Sequence, residues 1–167
     1  KLMSIRDLYF LGSYLYRANF IHSKSINTIF NSTNMVLVDF YDSDITNSSF
    51  VKSDLTQSSF HHAIVKDVDF TFANLENSDF ELSDISQANF TAAELQGSYL
   101  HRVKAPKTIF RNAVLTDSDL SYSNFEYSNI KATMSNMDES TIDISYKLTN
   151  NSNYDGEEVA QLCGRCG

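Results

Sequence analysis

The sequence predicts a repeat solenoid, a chain that turns a corner every five residues. Two observations predict it. Of the 26 positions divisible by five from Ile5 to Ile130, 24 carry Phe, Leu, Ile, Met or Val, the exceptions being Ser25 and Ala105. Eleven of the twelve Phe residues lie on this lattice, and Phe72 alone falls off it. Stepping back two residues from each, all 25 positions from Ser13 to Thr133 are Ser, Ala, Thr or Val. The unit is small–x–large–x–x, held in register for roughly 120 residues without an insertion. A helix period of 3.6 or a strand period of 2 cannot generate it.

These units resemble the pentapeptide-repeat family, whose usual unit is A-(D/N)-L-x-x. The resemblance rests on Ser53-Asp-Leu-Thr-Gln57, Ala73-Asn-Leu-Glu-Asn77, Ser78-Asp-Phe-Glu-Leu82 and Ala88-Asn-Phe-Thr-Ala92. It covers about residues 10–133 and implies an all-β fold, a right-handed quadrilateral β-helix of about six twenty-residue coils. The sequence tests that implication by sorting the lattice into ladders twenty residues apart. One ladder is Phe10, Phe30, Phe50, Phe70, Phe90 and Phe110. The opposite one is Phe20, Phe40, Phe60 and Phe80, then Leu100 and Leu120. A third is Leu15, Met35, Leu55, Leu75, Leu95 and Leu115, and the last, Ile5 to Phe125, is mixed. Phe stacks on Phe and aliphatic on aliphatic. With coils about 4.8 Å apart the rod is roughly 30 Å long.

The ends of a solenoid need caps. Met3 and Leu8 break the small-residue rule, which places an N-terminal cap at residues 1–9 and the regular β-helix at 10–133. After that the register slips by two at Ser135/Met137 and Ser140/Ile142. The stretch 142–148 alternates like an edge strand, and Asp155-Gly-Glu-Glu158 opens a short helix over about 156–163. Residues 134–167 are therefore read as a C-terminal cap of one domain.

Composition narrows the chemistry. With 21 acids against 13 bases the net charge is −8, which argues against direct nucleic-acid binding or an anionic membrane. No apolar run exceeds four residues, so no signal peptide or transmembrane segment is visible and a cytoplasmic protein is expected. Eight acids stand immediately before a large residue (Asp39, Asp44, Asp54, Asp69, Asp79, Asp84, Glu94 and Asp119), and Asn fills six more such sites. Asp and Asn bond turn backbone locally, so a structural role is expected for them. All four His fall one or two residues after the Phe20–Leu120 ladder, hence on one face. There His22, Asp42 and His62 form a column on adjacent coils with the donors of a divalent-metal site; a solvated His–Asp hydrogen-bonded face is the plainer expectation. Cys163-Gly-Arg-Cys166 lacks both the βαβ setting of a redox site and the further ligands of a zinc site. Arg102, Lys104, Lys107 and Arg111 gather around the only proline, at a corner where Ala105-Pro106 interrupts the ladder, and are read as a solvated corner.

Outward-facing apolar residues are the better pointer to function. Tyr14, Tyr16, Val36, Leu37 and Tyr41 are the candidate partner-binding residues, with the chain's own first residues as an alternative cover. No catalytic set, phosphate loop or cofactor fingerprint is legible, so no cofactor is expected and an enzyme is not. The preferred reading is a non-catalytic protein-interaction or scaffold module, a monomer or a weak end-to-end dimer. A second reading follows from the resemblance: an acidic DNA mimic acting on DNA gyrase, as Qnr-type members do. The charge counts against it, since a duplex of 30 Å carries roughly 18 charges. A third is a β-helix module of a larger secreted bacterial effector.

Overall fold

The five-residue pattern is realised directly in backbone hydrogen bonds. The computed structural model describes residues 3–128, so the slipped register, edge strand, helix and Cys pair expected beyond them lie outside the described residues. Strands β1 (Ser4–Arg6) and β2 (Lys24–Ile26) pair in parallel with Ser4 opposite Lys24. From there isolated parallel bridges recur every five residues, from Tyr9 with Ile29 to Lys104 with Asn124, each joining residues twenty apart. Four bridges per twenty residues make a four-sided coil. The register already holds at Ser4, because its backbone follows the same path although the side chains of Met3 and Leu8 point outward.

One unit shows why the sequence chooses this path. Phe40 N donates to Ser59 O (2.8 Å) and Asp42 N to His61 O (3.0 Å), both on the next coil. Asp44 N donates to Ser23 O (2.9 Å) on the previous coil, and Ser43 N closes the corner onto Phe40 O (3.1 Å). Only Tyr41 N lacks a backbone acceptor, and the Asp39 carboxylate takes it (2.9 Å). All five donors are therefore satisfied. The same side-chain bond recurs from Asn19, Asp44, Asp54, Asp69, Asn74, Asp79, Asp84, Asn89, Asp119 and Asn124. It explains the Asp/Asn preference before each large residue as turn chemistry.

The second corner residue adopts φ between +50° and +66° in every unit from Asp7 to Tyr127. Only Gly12 and Gly97 relieve that conformation with glycine, and Val, Ile, Thr and Pro never occupy it. β-Branched residues avoid it because two substituents on Cβ crowd the left-handed backbone. Pro106 falls in the preceding slot, whose N–H has no backbone partner, after Lys104, which offers no carboxylate. The expected interruption therefore does not reach the backbone: Ala105 N still donates to Asn124 O (2.8 Å) and Pro106 O accepts from Gln87 N (3.0 Å).

Inside, the two Phe ladders stack along the axis and meet edge-to-face across it. Centroids along the Phe10–Phe110 ladder are 4.8–5.2 Å apart. Between the ladders the rings cross at 73–87°, as Phe50 and Phe60 do at 6.2 Å and 87°. Both geometries suit the ring quadrupole. Rings from Phe30 to Phe90 are wholly buried on this lattice, whereas Phe10 and Leu15 in the first coil are only partly so. Buried hydroxyls bond back to the neighbouring coil, as Ser48 does to Ser25 O (2.6 Å) and Ser53 to Phe30 O (2.6 Å).

Candidate functional site

The twenty-residue register turns sequence columns into physical ones, and the histidine face is the clearest case. Asp42 lies between His22 and His62: His22 Nδ1 meets Asp42 Oδ2 at 2.9 Å and His62 Nδ1 meets Oδ1 at 3.1 Å. These hydrogen bonds, from His62 first and His22 second, hold the Asp42 carboxyl below its ordinary value. Each imidazole engages a different carboxylate oxygen, so the column is a hydrogen-bonded ladder of imidazole, carboxylate and imidazole. Around the corner, His61 Nδ1 lies 3.3 Å from Asp79 Oδ2, and His101 Nδ1 bonds Ser121 Oγ at 2.7 Å with Asp119 at 3.8 Å. Every histidine thus reaches a carboxylate on the next coil or the previous one.

Sequence columns alone did not reveal a second grouping. His61, Asp79 and Glu81 each offer a ligand atom within 4.8 Å of the others, all three half-buried. Glu81 stands directly above His61 in the register, while Asp79 comes from the neighbouring column of the same coil. Only a comparison of the slots before and after one large residue, Phe80, with the slot after Phe60 on the previous coil brings them together.

The candidate partner residues divide between two places. Tyr14 and Tyr16 stack on each other, with centroids 6.0 Å apart, and the Arg17 guanidinium lies 5.2 Å from the Tyr16 ring. Val36 and Leu37 are half-buried one coil above them. Tyr41 belongs to the histidine face, stacked on His61 (5.6 Å, 10°) and edge-on to His22 (5.8 Å). The outward rule also applies to Tyr9, which the assignment of residues 1–9 to a cap kept out of the candidate set, and to Leu11, at the start of the regular coils. Both are among the most exposed apolar side chains, together with Tyr14. The described first residues do not fold over this end, since Ser4–Arg6 run within the coil against Lys24–Ile26. Among the described residues no coil lies beneath Tyr9, Tyr14 and Asn19, and their N–H groups find no backbone acceptor there.

Two family models match the sequence: one described as a pentapeptide repeat region, over residues 23–100, and one as pentapeptide repeats in eight copies, over residues 93–131. The matches overlap and run together across the regular coils. The chain belongs to the pentapeptide-repeat family. Proteins of this family form right-handed β-helices and are generally non-enzymatic structural modules. Among solved structures, the pentapeptide repeat protein Rfr23 from the cyanobacterium Cyanothece 51142 is 14% identical, with 85% of this chain and 82% of that chain covered and a TM-score of 0.41. A trypsin-treated variant of QnrB1, a plasmid-mediated fluoroquinolone resistance protein, is 14% identical, covering 98% and 94% with a TM-score of 0.43. HetL, involved in heterocyst differentiation regulation in the cyanobacterium Nostoc sp. strain PCC 7120, is 11% identical, covering 89% and 90% with a TM-score of 0.34. No curated protein matches the sequence.

Two lysines of this pentapeptide-repeat rod join one coil to another through a shared carboxylate. Lys66 Nζ and Lys104 Nζ both reach Asp84 Oδ2, at 3.2 and 3.0 Å. Burial pushes the Asp84 carboxyl up, but hydrogen bonds from Ser86, Lys104 and Lys66 outweigh it and hold the group below its ordinary value. The basic cluster near Pro106 is thereby partly neutralised within the rod. Among the described residues no helix is long and apolar enough to cross a membrane.

Proposed function

We propose that this pentapeptide-repeat chain is a non-catalytic protein-binding module that engages its partner through its first coil. One observation carries the reading: Tyr9, Leu11 and Tyr14, exposed to 75%, 70% and 73%, project outward from the first described coil. Aromatic side chains with a polar tip are the type that dominates interface cores and hot spots. Beside them the backbone N–H groups of Tyr9, Tyr14 and Asn19 find no backbone acceptor among the described residues and suit an added extended segment. Tyr16 beside them, and Val36 and Leu37 one coil above, continue the surface, with Arg17 as a cationic edge. The test sets the parent chain beside the triple variant Tyr9→Ser, Leu11→Ser, Tyr14→Ser, first in affinity purification with quantitative mass spectrometry, then in titrations of each purified candidate. A partner that saturates the parent and binds the variant at least about a hundredfold more weakly is expected, one hot spot of about 2 kcal/mol or more sufficing for most of that loss. No saturable partner, or equal binding to both chains, overturns the reading.

The DNA-mimic reading ranks second. Its support is an acidic rod of net charge −8. Against it, seven of the regularly spaced carboxylates, from Asp39 to Asp119, are occupied by turn N–H groups of their own chain. Supercoiling by DNA gyrase, titrated with the purified chain beside light scattering, decides between the two. Inhibition at about micromolar levels by a dimer would put mimicry first.

A further inference from the structure

We infer that His61, Asp79 and Glu81 form a binding site for one divalent transition-metal ion of the zinc, cobalt or nickel type. Three observations converge on these residues. Their ligand atoms lie within 4.8 Å of one another. Donors about 2.0–2.2 Å from a tetrahedral ion stand roughly 3.4 Å apart, so closing on an ion takes small side-chain rotations. The backbone under each ligand is fixed by the ladder, through Phe60 N to Asp79 O (2.6 Å), Asp79 N to Ser58 O (2.9 Å) and His62 N to Glu81 O (2.9 Å). The Glu81 carboxylate, finally, has no ion-pair or hydrogen-bond partner among the described residues, although it converges on a second carboxylate. Two like charges drawn together without a cation are destabilising, and an ion between them reverses the sign of that interaction.

The surroundings orient the ligands. Asp79 Oδ1 accepts the Glu81 N–H at 2.8 Å, which leaves Oδ2, already facing His61 Nδ1, as the coordinating oxygen. Tyr41 lies flat against the His61 ring at 5.6 Å and 10°, restricting its rotation. An imidazole with two carboxylates favours zinc, cobalt or nickel over calcium and magnesium, whose preference is for oxygen-only sets with more ligands. Three protein ligands at a half-buried position leave the rest of the coordination sphere to water.

The experiment is isothermal titration of the full chain with Co²⁺ and with Zn²⁺, in a Cys163→Ser, Cys166→Ser background that removes thiolate ligands. Cobalt absorption spectra report the ligand type. One ion per chain, with a dissociation constant of about 100 µM or tighter and a spectrum lacking thiolate bands, is expected. Even outer-shell partners of a metal ligand are worth about 10–100-fold in affinity, so His61→Gln and Glu81→Gln should each weaken binding at least about tenfold. The double variant His22→Gln, His62→Gln should leave it unchanged, with far-ultraviolet circular dichroism confirming the fold of every variant. Binding weaker than about 1 mM overturns the inference, as does binding that survives His61→Gln or Glu81→Gln. Loss of binding in the His22, His62 variant also overturns it, by moving the ion to the Asp42 column.

Discussion

Removing a ring from the centre of the Phe ladders should cost far more than removing the same ring at their end. Phe60 is wholly buried and stacks on Phe40 (5.4 Å) and Phe80 (4.7 Å). It also meets Phe50 (6.2 Å) and Phe70 (5.6 Å) edge-to-face. Phe→Ala in a packed core costs about 3–5 kcal/mol. Four ring neighbours and a rigid ladder that cannot collapse into the void place Phe60→Ala near the top of that range, at about 5 kcal/mol. Phe10 is partly exposed and stacks only on Phe30 (5.1 Å), so Phe10→Ala should cost roughly 1.5 kcal/mol. Phe60→Leu should cost less than about 1.5 kcal/mol, because Leu100 and Leu120 already occupy that ladder. Urea unfolding followed by far-ultraviolet circular dichroism and by tyrosine fluorescence measures all three, the chain having nine Tyr and no Trp. Divergence of the two probes in Phe60→Ala would show the coils on either side unfolding separately. Equal losses for Phe60→Ala and Phe10→Ala would refute the continuous-column account of stability.

Further perturbations separate corner chemistry from core packing. Gly97→Ala adds a Cβ 2.5 Å from Asn77 Oδ1 at a φ of +64°, whereas at Gly12 nothing lies within 4 Å. Gly12→Ala should therefore lose only the backbone preference of about 1 kcal/mol, Gly97→Ala more, and Asn77→Ala should recover the excess in thermal melts. Arg111→Pro, like natural Pro106, follows a residue without an acceptor side chain and should stabilise by about 0.4–1 kcal/mol; Thr56→Pro deletes the N–H bonded to Asp54 (3.1 Å) and should destabilise in the same melts. The Asp42 carboxyl, held low by His62 and His22, contributes stability that is present above the unfolded value near 3.8 and fades as pH falls through the lower folded value. The stability gap between the parent and Asp42→Asn should thus be full above about pH 4 and shrink in more acid solution; urea midpoints across pH would contradict this if the gap were constant.

Much of this architecture is legible because one rule repeats. The lattice of large residues and the small residues two before them assign every inward side chain from Ser23 to Leu120, with the turn role of Asp and Asn. The His22–Asp42–His62 contact was also legible, since it runs along a single column. His61, Asp79 and Glu81 were not, because they meet across two columns, and sequence columns do not say which neighbouring slots the fold brings close. Tyr9 was hidden by a different rule. Met3 and Leu8 break the small-residue pattern, yet side-chain size does not control the backbone pairing that carries Ser4–Arg6 into the ladder.

The fixed offset of twenty makes the rod a graduated length. Each coil exchanges hydrogen bonds only with the coil before and the coil after it, and no loop is present along the described coils to absorb a surplus residue. A single inserted residue would bring a corner side chain into the column and misalign every pairing beyond it. Excision of a whole coil, such as residues 41–60, would join Phe40 to His61 and seat residues 61–80 on residues 21–40 with all ladders matched. Change in such a chain therefore proceeds in whole coils, and reach is gained or lost in steps of about 4.8 Å.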